Sequence, residues 1–247
     1  MKKIYPVFYI SVIGMVAVAV ISMIYIVVKD MSVGIFLLGA LSWIISYILK
    51  LIWAGHMNKK IFKMLKAKLG NALSKVVSWS YIGILTGIFE CGLVLAFVYF
   101  IPVLNQAEWP DILSFGIGFG AVEALYMGLS YLLYLIGSKY TAEPDDRLAV
   151  TKNNLLLIPV ATVERISTLF VHLYSCVLIF VAVQENAYSY FWLSFAFKTL
   201  VDGIAGWLIL EKDARKTNIA SQQWSYQIIF AILGLIGLYG TIKLTPL

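Results

Sequence analysis

The chain has 247 residues, of which 61% are hydrophobic and 13% are charged, and its formal net charge at pH 7 is +6. Its mean hydropathy is +0.88. This composition excludes a soluble globular domain and a disordered chain, and it predicts an integral membrane protein.

Seven apolar stretches are long enough to cross a bilayer as α-helices, which need about 20 residues each. They cover residues 7–28, 33–54, 77–101, 112–137, 154–183, 188–209 and 223–243. We therefore predict an all-α fold in which residues 1–247 form one integral membrane domain, a polytopic bundle of about seven transmembrane helices in contact with the lipid bilayer.

The distribution of basic residues predicts how this bundle is oriented. The segment between the second and third spans contains six lysines and no acidic residue, so we expect it to face the cytoplasm. Counting spans from that segment places the N-terminus in the cytoplasm and the C-terminus outside. The loops at 138–153 and 210–222 then also face the cytoplasm, and both contain basic residues.

The lysine-rich residues 57–76 also predict a basic amphipathic helix at the membrane surface. The apolar positions of this segment recur every four residues, at Ile61, Leu65, Leu69 and Leu73. Lysines occupy its other faces, where they would meet anionic lipid headgroups. Gly70 and Asn71 are a point at which the helix is expected to bend. A nucleic-acid partner is not expected, because the apolar stripe needs burial.

Ionisable residues inside the predicted spans mark a candidate functional site. A charged group at membrane depth costs about 2.5–3.5 kcal/mol on insertion scales, so it usually faces the interior of a bundle. The residues are Glu90 in the third span, Glu123 in the fourth, Glu164, Arg165 and His172 in the fifth, and Lys198 and Asp202 in the sixth. Glu164 and His172 are separated by about 12 Å along the helix and roughly 80° around it, so both can line one cavity. Lys198 and Asp202, one turn apart, can face the same way as an ion pair or as two cavity groups.

Three functions are compatible with these residues. The first is a structural network in which the cations neutralise the acids. The second is a zinc hydrolase, which needs about three protein ligands and a carboxylate near the bound water; His172 with Glu90, Glu123 or Asp202 could supply them. The third is a binding or transport cavity. A small-molecule transporter is the least favoured, because Pro159 has no matching break in another span.

Three short segments then indicate a family. FGAVEALYMG in the fourth span, ERISTLFVH in the fifth and FKTLVDG in the sixth resemble the YhfC-type intramembrane metalloproteases. These are distant relatives of the type II CAAX-processing and bacteriocin-immunity membrane proteases. The resemblance covers spans three to six and implies a multi-pass protein of the bacterial plasma membrane.

The resemblance also implies roles for particular residues. Glu90 would activate a water molecule, His172 would bind a metal ion, zinc if the enzyme is active, and Asp202 would orient water or substrate. Glu123 and Glu164 would complete the set of catalytic acids.

Three positions depart from the family pattern. Cys91 replaces the second glutamate of a pair, Val94 replaces an arginine, and Lys198 replaces the histidine of the last motif. A protonated lysine has no lone pair and cannot bind a metal.

Two hypotheses about function follow from these departures. The favoured one is a catalytically impaired member, a pseudoenzyme without bound metal, that binds a membrane protein or peptide in an accessory or immunity-like role. The alternative is an active intramembrane metallopeptidase.

Overall fold

The computed structural model describes residues 7–138, 155–210 and 220–245, and the regular structure of these residues is entirely helical. The helices are α1 (Val7–Val28), α2 (Val33–Trp53), α3 (Lys59–Thr86), α4 (Gly92–Phe100), α5 (Pro102–Asn105), α6 (Trp109–Ser138), α7 (Val160–Gln184), α8 (Ser189–Leu210) and α9 (Ala220–Leu244). Two π-helical turns, Ala54–Asn58 and Gly87–Cys91, join α2 to α3 and α3 to α4, and a 3₁₀ turn at Leu155–Leu157 precedes α7. The predicted all-α fold is confirmed.

Within the described ranges, six helical stretches are long and apolar enough to cross a membrane. They are Phe8–Val28, Val33–Gly70, Leu73–Phe100, Trp109–Gly137, Leu155–Gln184 and Gln223–Leu244. Each corresponds to one of the seven predicted spans. The remaining prediction, at 188–209, falls on α8, which has Lys198 and Asp202 in its central turns and is not among the six. That α8 crosses the membrane therefore stays a prediction.

The basic segment 57–76 is helical but is not the single separate helix that its periodicity predicts. The π-helical turn Ala54–Asn58 continues the backbone hydrogen bonding of α2, so the chain does not break where the lysines begin. The break lies at Gly70, where φ is 70° and ψ is −179°. Glycine adopts a positive φ at little cost, which explains the bend at the expected position. Residues before Gly70 thus prolong the helix that contains the second span, and the position of this basic segment at the membrane surface stays a prediction.

Helix α7 is the central helix of the bundle. It packs against α1, α4, α6, α8 and α9. All but one of the residues from Val171 to Val183 are buried. In the apolar 18-residue stretch of this candidate span, 67% is buried, which is the largest share among the six candidate spans. A helix packed on several sides by other helices can hold charged groups away from lipid. The buried polar residues of α7 are therefore surrounded by other helices; they are Arg165, Ser167, His172 and Ser175.

Glycines on α2 and α6 let these two helices approach closely next to the site. A Cβ atom added to Gly39 would lie 2.0 Å from the carbonyl oxygen of Phe115, and one added to Gly118 would lie 2.0 Å from that of Phe36. Small residues allow such close packing between membrane helices. The contact sets the register in which Trp43, one turn after Gly39, reaches Glu123.

Candidate functional site

Glu90 lies in the interior of the bundle, on the π-helical turn Gly87–Cys91. Only 3% of the residue is exposed. A π-helical turn inserts one extra residue into a helix and is frequent at functional sites. Here it presents a carboxylate to the centre of a membrane bundle, where an isolated charge would be costly.

Two lysines from different helices neutralise Glu90. Lys50 from α2 forms an ion pair and a hydrogen bond with Oε1. The Nζ atom of Lys198 from α8 lies 3.0 Å from Oε2. His172 is also close, with its Nδ1 atom 3.8 Å from Oε2. Both oxygens of the Glu90 carboxylate therefore lie beside ammonium groups, but only Oε1 accepts a hydrogen bond.

Glu123 on α6 is the second carboxylate of the network; it is partly buried and has three donors. Arg165 forms an ion pair with Oε1. Oε2 lies 2.5 Å from His172 Nε2 and accepts a hydrogen bond from Trp43 Nε1 at 3.1 Å. Because these donors come from α2 and α7, Glu123 joins three helices at one level of the bundle.

His172 connects the two carboxylates through Lys198. Its Nε2 atom contacts Glu123, and its Nδ1 atom lies 3.3 Å from Lys198 Nζ. An ammonium group only donates hydrogen bonds, so the arrangement that satisfies both contacts has Nδ1 accepting from Lys198 and Nε2 donating to Glu123. Both ring nitrogens are then occupied by protein groups.

Glu164 and Asp202 lie at the edges of this network. Glu164 forms an ion pair with Arg165 and accepts a hydrogen bond from Gln227 Nε2 at 3.2 Å. Asp202 is partly buried one turn after Lys198, within electrostatic range of both Lys198 and Lys50. The acid that contacts Lys198 directly is Glu90, from another helix, and not its neighbour on α8.

Cys91, next to Glu90 in the sequence, contacts a separate group of hydroxyls. Its Sγ atom lies 3.6 Å from the Oγ atoms of both Ser175 and Ser194, and these two oxygens are 2.6 Å apart. The hydroxyl of Ser194 also donates to the carbonyl oxygen of Ser175. This group joins α7 to α8 beside the Glu90 layer.

The site also contains two residues that our sequence analysis did not single out, Lys50 and Trp43. A signal existed for Lys50, because a lysine inside the predicted span 33–54 is as unusual as the acids that were identified. No such signal existed for Trp43, since tryptophan is common in membrane helices as a packing residue. Only the contact between α2 and α6 shows that its indole is a donor to Glu123.

The residues brought together here do not fit a zinc site. Among the described residues, no group of three or more His, Cys, Asp or Glu side chains is arranged to hold a metal ion. Ammonium groups lie against the atoms that zinc would need: Lys50 hydrogen-bonds Oε1 of Glu90, Lys198 lies 3.0 Å from Oε2, and Lys198 Nζ lies 3.3 Å from Nδ1 of His172. A divalent cation would also be repelled by these ammonium groups.

Comparison with known proteins gives one family. The family model described as YhfC intramembrane metalloprotease matches residues 14–222. No curated protein and no solved structure matches the chain. The matched range covers most of the sequence and contains the network from Lys50 to Asp202. The chain therefore belongs to the YhfC intramembrane metalloprotease family.

Proposed function

We propose that this chain is a non-catalytic member of its family, in which protein cations take the place of the metal ion and which acts by binding a membrane protein or a peptide in an accessory role. The observation that carries the proposal is the position of Lys198. Its ammonium group contacts Glu90 at 3.0 Å and His172 at 3.3 Å.

Those two contacts involve the groups on which metallopeptidase chemistry would depend. By the family resemblance, His172 is the metal ligand and Glu90 is the group that takes a proton from water. A zinc ligand must offer a free lone pair, and a general base must have an oxygen within reach of the water. Lys198 contacts Nδ1 of the histidine at 3.3 Å and forms an ion pair with one oxygen of the glutamate.

Lys50 strengthens this argument, because it occupies the other oxygen of Glu90. Water activation would require at least one lysine to move away, leaving a buried cation without its partner. Removing one partner from a buried ion pair costs about 3–5 kcal/mol. The network therefore favours a fixed arrangement over a site that opens in each catalytic cycle.

The same network supports a role as a scaffold. It connects α2, α6, α7 and α8, and it extends to α9 through the hydrogen bond from Gln227 to Glu164. Buried polar networks contribute little net stability, but in some proteins they select one arrangement of helices. A bundle with a fixed arrangement and without metal chemistry acts through the surfaces that it offers to other membrane proteins.

The test is the metal content of the detergent-purified protein, measured by mass spectrometry after purification without chelators. We expect substoichiometric zinc in the wild type. In Lys198→His, which restores the family motif, we expect zinc binding that the additional change His172→Ala abolishes. Lys243→His, on an exposed residue in the last turn of α9, is the matched control and should bind no zinc.

One result would overturn the proposal. Near-stoichiometric zinc in the wild type that is lost in His172→Ala would mean that the metal displaces Lys198. That outcome favours the alternative, an active intramembrane metallopeptidase with a water molecule activated by Glu90.

A further inference from the structure

A groove of about 550 Å³ lies between α3 and α8 and opens on the surface of the bundle. Four of the residues that line it are exposed: Val76, Ser80, Ala196 and Leu200. None of its described lining residues is charged, and most are apolar. The two helices are in backbone contact close by, since a Cβ atom added to Gly83 would overlap the carbonyl oxygen of Thr199. The groove is therefore an apolar depression beside the line where α3 and α8 meet.

Two polar groups of this groove have no hydrogen-bond partner among the described residues. They are the indole Nε1 of Trp79 and the hydroxyl oxygen of Thr199, and both atoms are buried. Buried polar atoms in proteins are almost always hydrogen-bonded, so each exception calls for an explanation. An indole N–H only donates, and a hydroxyl can donate as well. The groove thus contains two donors without acceptors.

The hydroxyl of Thr199 differs from those of the facing helix. Ser78, Ser80 and Thr86 on α3 each donate to the carbonyl oxygen four residues earlier, at 2.7, 3.1 and 3.5 Å. Thr199 does not make this bond with the carbonyl oxygen of Phe195. Threonine in a helix has two common side-chain rotamers, one of which bonds its own helix. The hydroxyl of Thr199 is therefore available to an acceptor from outside the helix.

The position of the groove selects the kind of acceptor that can reach it. Trp79 is near the start of predicted span 77–101 and Trp207 is near the end of predicted span 188–209, and their rings pack edge to face with centroids 5.9 Å apart. The distribution of basic residues predicts that both lie at the cytoplasmic interface, a level at which tryptophan is common. Phospholipid esters lie at the same level, between the headgroup and the acyl chains. A partner helix would bring no free backbone acceptor, because its carbonyl groups are bonded internally.

We propose that this groove binds one ester-linked phospholipid of the cytoplasmic leaflet. An acyl chain would lie along the apolar lining, and an ester carbonyl oxygen would accept hydrogen bonds from Trp79 Nε1 and the Thr199 hydroxyl. Both side chains are partly exposed, so their rotation brings these donors to the occupant. The inference goes beyond the proposed function and does not depend on it, because no ionisable residue of the Glu90 network lines the groove.

The test compares two phosphatidylcholines with chains of equal length, one with ester linkages and one with ether linkages, which lack the carbonyl oxygens. Binding of the first lipid molecule to the full chain is measured by native mass spectrometry in a mild detergent. We expect the wild type to bind the ester lipid about tenfold more tightly, the effect of one or two neutral hydrogen bonds. Thr199→Val and Trp79→Phe should each reduce this preference, and the double variant should bind both lipids equally.

Ser80→Ala is the matched control, because it removes a hydroxyl that lines the same groove but already donates to the carbonyl oxygen of Val76. This variant should keep the tenfold preference. Ala196→Phe protects the test against a folding defect in the donor variants. It keeps both donors but obstructs the groove at an exposed position, so the ester lipid should bind more weakly.

Equal binding of the two lipids by the folded wild type overturns the proposal. A preference that survives in the double variant does so too, because the free donors would then not be its cause. The same holds for a preference that disappears equally in Ser80→Ala, and for ester-lipid binding that is unchanged in Ala196→Phe.

Discussion

Replacing Lys198 with methionine removes one of the two ammonium groups that contact the Glu90 carboxylate. Methionine has a similar length and fills the space, so the main change is electrostatic. Glu90 would keep Lys50 but lose its contact at Oε2, and His172 Nδ1 would lose its donor at 3.3 Å. Because both residues are only 3% exposed, water cannot replace either contact without opening the bundle.

The expected cost follows from these contacts. Removing one partner of a buried ion pair costs about 3–5 kcal/mol. Since Lys50 still compensates Glu90, we expect the lower end, about 3 kcal/mol. In a protein of this size each kcal/mol shifts Tm by about 2–4 °C, so Lys198→Met should lower Tm by roughly 6–12 °C.

The assay is thermal unfolding in a mild detergent, with the loss of the monodisperse peak as a second readout. Lys243→Met is the matched control, because Lys243 is an exposed lysine whose contact is a cation–π interaction with Tyr239 at 5.7 Å. Such an exposed contact is worth about 0.5–1 kcal/mol, so the control should shift Tm far less. The double variant Lys198→Met/Glu90→Gln should not recover the loss, because Lys50 is then left without its carboxylate partner.

An unchanged Tm in Lys198→Met would refute the reasoning. It would mean that the ammonium of Lys198 is not what holds the Glu90 carboxylate in the bundle. A double variant as stable as the wild type would also contradict it, because neither Lys50 nor Lys198 would then depend on the Glu90 carboxylate.

Two further predictions concern the contact between α2 and α6. Gly118→Ala should be strongly destabilising, because the new Cβ would lie 2.0 Å from the backbone oxygen of Phe36. Gly92→Ala is the control: a Cβ there meets nothing within 4 Å, so this variant should be neutral or stabilising by up to about 1 kcal/mol. Equal Tm changes in these two variants would contradict the close helix contact. Trp43→Phe should cost about 1.5–3 kcal/mol, because it removes a buried hydrogen bond to the charged Glu123. A Tm equal to that of wild type would show that the indole N–H is not needed there.

The amino-acid sequence by itself determined the membrane class, the long helices and, with the exception of Lys50, the ionisable residues of the candidate site. These properties depend on local quantities: the length of an apolar stretch, the cost of a charge inside it and the spacing along one helix. The segments that resemble the family are local as well, and the family match over residues 14–222 confirms the family. The bend at Gly70 was likewise predictable, because it depends on the freedom of one glycine.

The tertiary structure decided which of these residues meet. Spacing along α8 allows Lys198 to pair with Asp202, yet Lys198 contacts Glu90 and His172 instead. Lys50 and Trp43 join the site only because α2 packs closely against its neighbours. Periodicity shows which residues share a face of a helix, but the choice of the facing helix depends on packing between segments distant in sequence. For this reason the sequence predicted a set of polar residues, and only the structure shows that Lys50 and Lys198 both contact Glu90.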